Sequence, residues 1–575
     1  MQTITGIPAS RGIALGPAFQ FLRPHLVVTR YNVQDSMAEW ARFESALDVA
    51  RQQLAAVQAS VAGSHGAEEA AIFEAQAMML DDPDLIEAVR LAIQQEGINA
   101  EAALHDAAES YAQALAALDD EYLQARAADV RDVANRVLRV LLNVAESPTA
   151  GLKTPSIILA ADLAPSDTVM LDKSLVLGFC TAAGGATSHT AILARGLGLP
   201  AVVGAGTDIL ALPDSAPLIL DGEAGWLVVE PDAATTAAYQ VKQAGADAAE
   251  AVARASAHEP AITRDGRRVE VVANIGNIAG AHAALAAGAE GVGLLRTEFL
   301  FLERTSLPSE EEQYRAYKAI GDAFGGLPVV LRTLDVGGDK ELPYLNTPFE
   351  QNPFLGVRAI RLCLSHPELF KPQLRAALRA GAGNGLKLMF PMVATVGEVR
   401  QARAVLAECR AELQAQGLPV AERMEVGIMI EIPAAAVVAD QLANVVDFFS
   451  IGTNDLSQYT MAADRTNAGV ASLADAFQPA VLRLIRQVID AAHAAGKWVG
   501  LCGELAGEPL AIPILLGLGL DEFSMNAPAV PTAKQVIRTL RVDEARAIAA
   551  TVLDLESAEE VRDIIRARMA SMGIV

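Results

Sequence analysis

His189 stands in the run Gly184-Gly185-Ala186-Thr187-Ser188-His189-Thr190, a glycine-softened turn directly ahead of Thr190-Ala191-Ile192-Leu193-Ala194-Arg195, which reads as the first turn of a helix. A neutral imidazole is a competent nucleophile near neutral pH. The free N–H groups and the dipole of a helix start favour an arriving anion, and glycine lets the backbone come close to it. Together these features point to capture of a phosphoryl group. Taken alone, the motif is equally compatible with a histidine that caps or packs.

A second group of reactive residues follows short apolar runs: Leu295-Arg296-Thr297-Glu298, Leu331-Arg332-Thr333-Leu334-Asp335, Ile430-Glu431-Ile432-Pro433, Ile451-Gly452-Thr453-Asn454-Asp455 and Leu501-Cys502-Gly503-Glu504. Arg296, Arg332 and Arg465, with Arg358 in Gly356-Val357-Arg358-Ala359-Ile360-Arg361, offer planar donor forks that match phosphate and carboxylate oxygens. They predict a small, highly anionic substrate. Glu431 and Asp455 are hard oxygen ligands suited to Mg²⁺, which keeps several waters and bridges to substrate oxygens. For either acid alone, an ion pair with one of the arginines is the alternative reading. Cys502 reads as a small buried hydrophobe or as a catalytic acid.

Such placement needs a scaffold that brings many strand ends to one mouth. From about residue 261 the chain alternates apolar strands with helices: Val269–Ala273, Gly291–Leu295, Pro328–Leu331, Lys387–Phe390, Val426–Ile430, Phe448–Ile451 and Trp498–Leu501, with a further strand expected near Leu355–Leu362. Seven or eight such repeats over about 300 residues predict a (β/α)8 TIM barrel with its active site at the carboxyl ends of the strands. Ahead of it, β-type runs such as Ser156–Ala160, Ala201–Gly204 and Pro217–Asp221 predict a compact α/β domain carrying His189, into which the first ~20 residues fold back. Between these parts, Trp40, Phe43, Leu47, Ala50, Leu54, Val57 and Val61 recur at alternating spacings of three and four, and further amphipathic segments follow. That pattern predicts an inserted helical bundle. The Ala-rich, charged stretch 233–257 reads as an exposed linking helix. The expected division is therefore 1–22 and 148–230 for the histidine domain, 23–147 for the bundle, 231–260 for the linker and 261–575 for the barrel.

Composition narrows the class. A formal net charge of −25 argues against nucleic-acid or anionic-membrane binding, since both call for a basic footprint. The four cysteines, Cys180, Cys363, Cys409 and Cys502, have no CxxC spacing, so neither a disulfide framework nor a zinc site is expected, and a reducing compartment is. No charged leader with an apolar core opens the sequence, and no apolar run reaches the ~18 residues of a membrane helix. A cytoplasmic enzyme is expected.

Several long motifs now carry a resemblance. Ile7-Pro8-Ala9-Ser10-Arg11-Gly12-Ile13-Ala14, the His189 loop, Thr333-Leu334-Asp335-Val336-Gly337-Gly338-Asp339-Lys340, Asn352-Pro353-Phe354-Leu355-Gly356-Val357-Arg358, Phe448-Phe449-Ser450-Ile451-Gly452-Thr453-Asn454-Asp455-Leu456 and Cys502-Gly503-Glu504-Leu505-Ala506-Gly507 occur in order along the chain. From end to end the sequence resembles the enzyme I family of the bacterial phosphotransferase system, the phosphoenolpyruvate–protein phosphotransferases.

The resemblance implies a multidomain α/β protein: a swivelling phosphohistidine domain with an inserted helical bundle, then a TIM barrel that also dimerises. It implies that phosphoenolpyruvate binds through Arg296, Arg332, Asn454, Asp455 and Arg465, with Mg²⁺ on Glu431 and Asp455. By the same resemblance His189 takes the phosphoryl group on Nε2 while Thr168 holds Nδ1, Cys502 protonates the enolate to give pyruvate, and a small histidine phosphocarrier protein docks on the bundle. The nearest matches to the family's docking contacts are Glu68, Met79, Asp82, Asp84 and Leu85.

Position 186 is Ala where many members carry Arg, a trait shared with fructose-branch modules. The general sugar branch is expected, with the fructose-branch or nitrogen-regulatory paralogue as the alternative. A related dikinase would need a nucleotide-grasping domain of some hundreds of residues ahead of these parts, and an ATP donor is disfavoured by the lack of a GxxxxGK[ST] loop. A degenerate regulatory scaffold would have lost His189, a metal carboxylate or a substrate arginine, and all are present.

Overall fold

A computed structural model divides the chain into two compact units, Met1–Asp247 and Ala248–Val575. It describes residues 1–575 apart from 22–25, 27, 65–78, 81, 117–120, 145–151, 164–172, 186–189, 192–193, 195–197, 303, 305, 338–341, 343, 346–349, 466, 468 and 574–575; for 56–64, 116, 121–129 and 173 it describes the backbone alone.

In the first unit the amino-terminal strands β1 (Gln2–Thr5), β2 (Ile7–Ser10) and β3 (Ile13–Gln20) join β4 (Ser156–Ala160), β5 (Val176–Thr181), β6 (Ala201–Val203), β7 (Pro217–Asp221) and β8 (Trp226–Val229) in one mixed sheet, ordered β1-β8-β7-β3-β4-β5-β6-β2. Strands β3 to β6 run parallel through its centre. Every residue of β4 is buried because both faces are covered: Ile157 and Leu159 enter one core, Ile158 and Ala160 the other. A two-sided strand must therefore read as an unbroken apolar run, as Ser-Ile-Ile-Leu-Ala does.

Between β3 and β4 the chain forms a helical bundle, with α1 (Ser36–Ser64), α2 (Pro83–Gln94), α3 (Ala100–Ala116) and α4 (Glu121–Leu141) among its described elements. Phe43, Leu47, Ala50 and Leu54 of α1 pack with Leu85, Val89 and Ile93 of α2 and Val133 and Val137 of α4, so the three-four spacing in the sequence is the buried seam. Helix α2 starts where Asp82 Oδ1 accepts the N–H groups of Asp84 and Leu85 and Pro83 takes the first helical position.

Helix α5 (Ala233–Ala255) carries the boundary between the units. The second unit is a closed barrel of eight parallel strands: β10 (Arg268–Ile275), β11 (Val292–Leu295), β12 (Val329–Arg332), β13 (Leu386–Phe390), β14 (Val426–Ile430), β15 (Phe448–Ile451), β16 (Trp498–Leu501) and β17 (Glu522–Met525). The β10–β11 pairing closes it, and the short β9 (Ala261–Ile262) lies antiparallel on β10.

One expectation is corrected here. The segment Leu355–Leu362 is not a strand. It comprises the end of a 3₁₀ turn at Pro353–Leu355, a link through Arg358, and the start of a helix at Ile360–Ser365. Its alternating Leu355 and Val357 are exposed, while Ile360, Leu362 and Cys363 are buried on the helix. The missing strand is instead β17, whose Glu-Phe-Ser-Met sequence alternates polar and apolar side chains.

Candidate active site

The charged residues of the site come from the carboxyl ends of neighbouring barrel strands. Arg332 ends β12, and Glu298 opens the 3₁₀ turn Glu298–Leu300 that follows β11. Glu431 directly follows β14, and Asp455 lies in the first turn of the helix Thr453–Met461 after β15. Gly503, after β16, could not be another residue: a Cβ there would meet Thr453 Oγ1 at 1.9 Å, so the loops after β15 and β16 pack backbone to side chain. That contact fixes Asn454 beside the next loop, where its Oδ1 accepts the Glu504 N–H at 3.1 Å.

These side chains form a row of alternating sign. Arg332 Nη2 donates to Glu298 at 3.0 Å and its Nη1 lies 3.0 Å from Asp335. Asp335 in turn accepts Arg358 Nε at 2.9 Å and Nη2 at 3.1 Å, a bidentate pair. Arg358 reaches on to Asp455 at 3.4 Å, and Asp455 lies 4.0 Å from Arg465 Nη2. Arg465 is brought back by a left-handed Ala462 (φ 51°) that ends the helix, and its own N–H donates to Gln458 Oε1 at 3.2 Å. Arg358 also donates to Tyr459 Oη at 3.5 Å, and Tyr459 is tied to Phe354 O at 2.5 Å.

Burial works against the charges of Arg332 and Arg358, but the carboxylates around them outweigh it and hold both guanidinium groups protonated beyond their ordinary range. Arg332 Nε is buried and has no partner among the described residues, so an unused donor remains within the row. Arg296 is exposed just after β11, and its backbone N–H donates to Ile275 O at 2.9 Å.

Glu431 is almost fully buried, with one oxygen accepting the N–H of Met392, a residue in the left-handed region at φ 54°. Burial first, then the carboxylates of Asp335 and Asp455, push its carboxyl up to about 8. Glu431 and Asp455, at the ends of the adjacent strands β14 and β15, present hard carboxylate oxygens, the donor type that a divalent ion takes. Glu431 and Asp455 fit Mg²⁺ on that ground.

Cys502 is 5% exposed and its Sγ donates to Ile451 O at 3.8 Å. Burial pushes the thiol up to about 11, so at neutral pH it carries its proton and is an acid rather than a thiolate. The two readings left open by the sequence, buried hydrophobe and proton donor, are thus physically compatible.

Arg332, Asp455, Arg465, Glu431, Asn454 and Cys502 are therefore carried on one barrel rim, together with Arg296. His189 and Thr168 lie outside the described residues, as does Glu68. The flanks of the His189 loop are described: Gly184 has φ 100°, and the fully buried Thr190 hydroxyl donates to Asp162 at 3.5 Å. Of the suggested docking residues on the bundle, Asp84 is exposed and Met79 half-buried. Leu85 is buried in the bundle core, and the half-buried Asp82 caps helix α2.

Residues that sequence reasoning left without a role are Glu298, Asp335, Tyr459 and Met392. The signal for the first two was present: Glu298 stands two residues after Arg296, and Asp335 three after Arg332, at ends already singled out.

Comparison with known proteins bears on the whole chain. Residues 250–542 match the family described as PEP-utilising enzyme, PEP-binding domain; residues 5–126 match PEP-utilising enzyme, N-terminal; and residues 152–225 match PEP-utilising enzyme, mobile domain. A parallel barrel with an arginine-rich rim, preceded by these two further parts, defines a phosphoenolpyruvate-utilising enzyme.

Relatives include the phosphoenolpyruvate-protein phosphotransferases of Bacillus sp. (strain S) and Geobacillus stearothermophilus, each 50% identical over 565 residues, and that of Bacillus subtilis (strain 168), 46% identical over 561. In all three the match spans 98% of this chain and 98% of the relative. The chain belongs to the phosphoenolpyruvate–protein phosphotransferase family, enzyme I of the phosphotransferase system.

Proposed function

We propose that the phosphoryl group this enzyme takes from phosphoenolpyruvate passes to His189 Nε2 and from there to a small histidine phosphocarrier protein, as the first step of sugar uptake through the general branch of the system. The observation that carries the reading is the row Arg332, Asp335, Arg358, Asp455, Arg465, in which acids hold guanidinium groups from the end of β12, the connection after it and the connection after β15 at one rim. Donors fixed in this way need little reorganisation when a phosphate arrives and its charge migrates.

Phosphoenolpyruvate would be seated by Arg296, Arg332, Asn454 and Arg465. Glu431 and Asp455 would hold Mg²⁺, which when bound polarises substrate oxygens and offsets their charge. In the transfer the phosphorus–oxygen bond of the substrate breaks as a phosphorus–nitrogen bond to His189 forms. The enolate left behind takes the proton of the Cys502 thiol at its methylene carbon, giving pyruvate. Thr168 would hold His189 Nδ1 and so present Nε2. One imidazole cannot serve the barrel and the carrier at the same time, so the histidine domain has to travel, with α5 as the connection. A cytoplasmic homodimer, joined through its barrel domains, is part of the same proposal. Among the described residues no helix is long and apolar enough to cross a membrane.

The test is incubation with labelled phosphoenolpyruvate and Mg²⁺, with and without a chelator, using His189→Ala as control. Acid-labile label is expected on the parent chain, little with chelator, and none on the variant. Equal labelling of parent and variant would reject His189 as the acceptor.

A further inference from the structure

Behind the arginine rim lies a buried polar chain that the proposed chemistry does not use. Its centre is Gln373, on the helix Pro367–Ala380, with no exposed surface. The carboxamide Oε1 accepts the backbone N–H of Leu334 at 2.8 Å. Its Nε2 donates to Thr297 Oγ1 and to Tyr317 Oη, each at 3.2 Å. Thr297 Oγ1 passes its own proton to the Arg332 carbonyl at 3.0 Å, and Tyr317 Oη to Gln313 Oε1 at 3.1 Å; Gln313 Nε2 then donates to Pro308 O at 3.2 Å. Thr297, Tyr317 and Gln313 are as buried as Gln373.

The polarity of this chain is determined. Leu334 N–H can only donate, while the Arg332 and Pro308 carbonyls can only accept, so each amide and hydroxyl between them has one orientation that satisfies all. A glutamine flipped end for end would set Nε2 against an N–H and leave both hydroxyls without their donor, and buried unpaired groups are costly.

The positions tied together are those next to the substrate arginines. Thr297 follows Arg296, Leu334 is two residues past Arg332, and the carbonyl that accepts from Thr297 is that of Arg332 itself. A second bond reinforces the same loop, from Asp335 N–H to Glu298 Oε1 at 3.2 Å. Gln373 bonds both the loop after β11 and the loop after β12, and it does so from a helix rather than from either loop.

We propose that Gln373 is a positioning residue for phosphoenolpyruvate binding: through Thr297 and Leu334 it sets the separation of Arg296 and Arg332. The inference rests on the reading that these two arginines seat the substrate. A helix packed in the barrel wall is a stiffer reference than a loop, and a fork displaced by about 1 Å loses much of its value to a bound phosphate.

The experiment uses the full-length enzyme with phosphoenolpyruvate and Mg²⁺, reading KM, kcat and melting temperature, with phosphoryl transfer from a phosphorylated carrier as a step independent of the barrel. Gln373→Met keeps the volume and removes all three bonds. It is expected to raise KM for phosphoenolpyruvate about tenfold or more, with kcat changed less and transfer from the carrier within about twofold of the parent. Thr297→Val should raise KM likewise, while Thr297→Ser, which keeps the hydroxyl, should restore it. Tyr317→Phe should lower the melting temperature and leave KM within about twofold, because its hydroxyl bonds Gln313 and Gln373 and neither loop directly.

A parental KM in Gln373→Met, whatever its melting temperature, overturns the inference. Should that variant not fold, equal KM values for Thr297→Val and Thr297→Ser overturn it. A parent enzyme that forms no pyruvate from phosphoenolpyruvate would instead reject the reading of the site on which the inference rests.

Discussion

The thiol of Cys502 illustrates how one residue's surroundings decide which half of its chemistry is available. A cysteine activated as a nucleophile sits near cations at a partly exposed position and ionises early. Cys502 is buried in the barrel with Leu294, Val330, Met389, Met429 and Phe448, and this burial raises its thiol to about 11 against the opposing effects of Ser450 and Arg332. The sign follows directly. The protonated form is the working form of a general acid, and a raised value extends that form to higher pH, so pyruvate formation should show no alkaline loss from this group until about pH 10. An alkaline limb that is absent from Cys502→Ala and lies near pH 8.5 in the parent would contradict the burial argument. Cys502→Ala itself is expected to slow pyruvate formation by about 10²–10⁴-fold with little change in substrate binding, the range for loss of a positioned proton donor. Pyruvate release measured alongside equilibrium binding of phosphoenolpyruvate separates the two effects.

At the scale of elements, the loops that follow the strands hold their geometry through a few backbone positions with no freedom to vary. Gly337 is the clearest. Its φ of 111° is strained for any other residue, and a Cβ there would lie 3.0 Å from Arg358 Cα and from Val357 O, both backbone atoms that cannot rotate away. Gly337→Ala should therefore push the Arg358 segment off Asp335 and Asp455, lowering the melting temperature by an amount reflecting about 1–3 kcal/mol and raising KM for phosphoenolpyruvate. A variant with a parental KM would mean that Arg358 does not depend on this turn. The same loops explain which parts of the architecture were legible in the amino-acid sequence. Seven barrel strands are readable because runs such as Val426–Ile430 are buried on both faces and so apolar throughout. Strand β17 is not, because polar Glu522 and Ser524 occupy two of its four positions although both are buried: Ser524 Oγ donates to Asn274 Oδ1 at 2.6 Å, and Glu522 is pushed up to about 8 by burial and by Glu270. Leu355 and Val357 mimic a strand because exposed apolar residues in a turn carry the same two-residue period as a buried edge. The strand-end positions of the candidate site residues were legible, whereas their partners depend on which loops meet in space. Gln373, with its apolar neighbours on an ordinary amphipathic helix, offers no local signal at all.

Over the whole molecule, the proposed relay needs one connection that bends, and the bonds at the two ends of α5 narrow where it can do so. Up to its middle, Lys242 Nζ donates to the buried Asp221 at 2.9 Å and Gln243 Nε2 to Ile13 O at 2.8 Å, which bind the first half of the helix to the first unit. Just past its end, Arg538 donates to Ser256 O at 2.9 Å and the fully buried Lys534 to Ala257 O at 3.0 Å, which fix the exit to the second unit. Residues 244–252 between these anchors are exposed throughout. Gly245 lies among them, with nothing within 4 Å of the position a Cβ would take, so its lack of a side chain serves no packing purpose. A glycine inside a helix weakens it by about 1 kcal/mol relative to alanine. Where no neighbour requires it, that weakness is a physical reason for the helix to open at this turn. Gly245→Ala should remove it without strain, because the position is helical and open. The expected outcome is a stiffer connection: turnover from phosphoenolpyruvate to the carrier slowed by up to about fivefold, the factor that 1 kcal/mol commands, with pyruvate binding to the barrel unchanged. A second variant, Ala249→Gly, loosens the same segment and should not slow turnover. Parental turnover in Gly245→Ala, measured where circular dichroism records the gain in helix, would move the pivot out of α5 and into the loops that flank it.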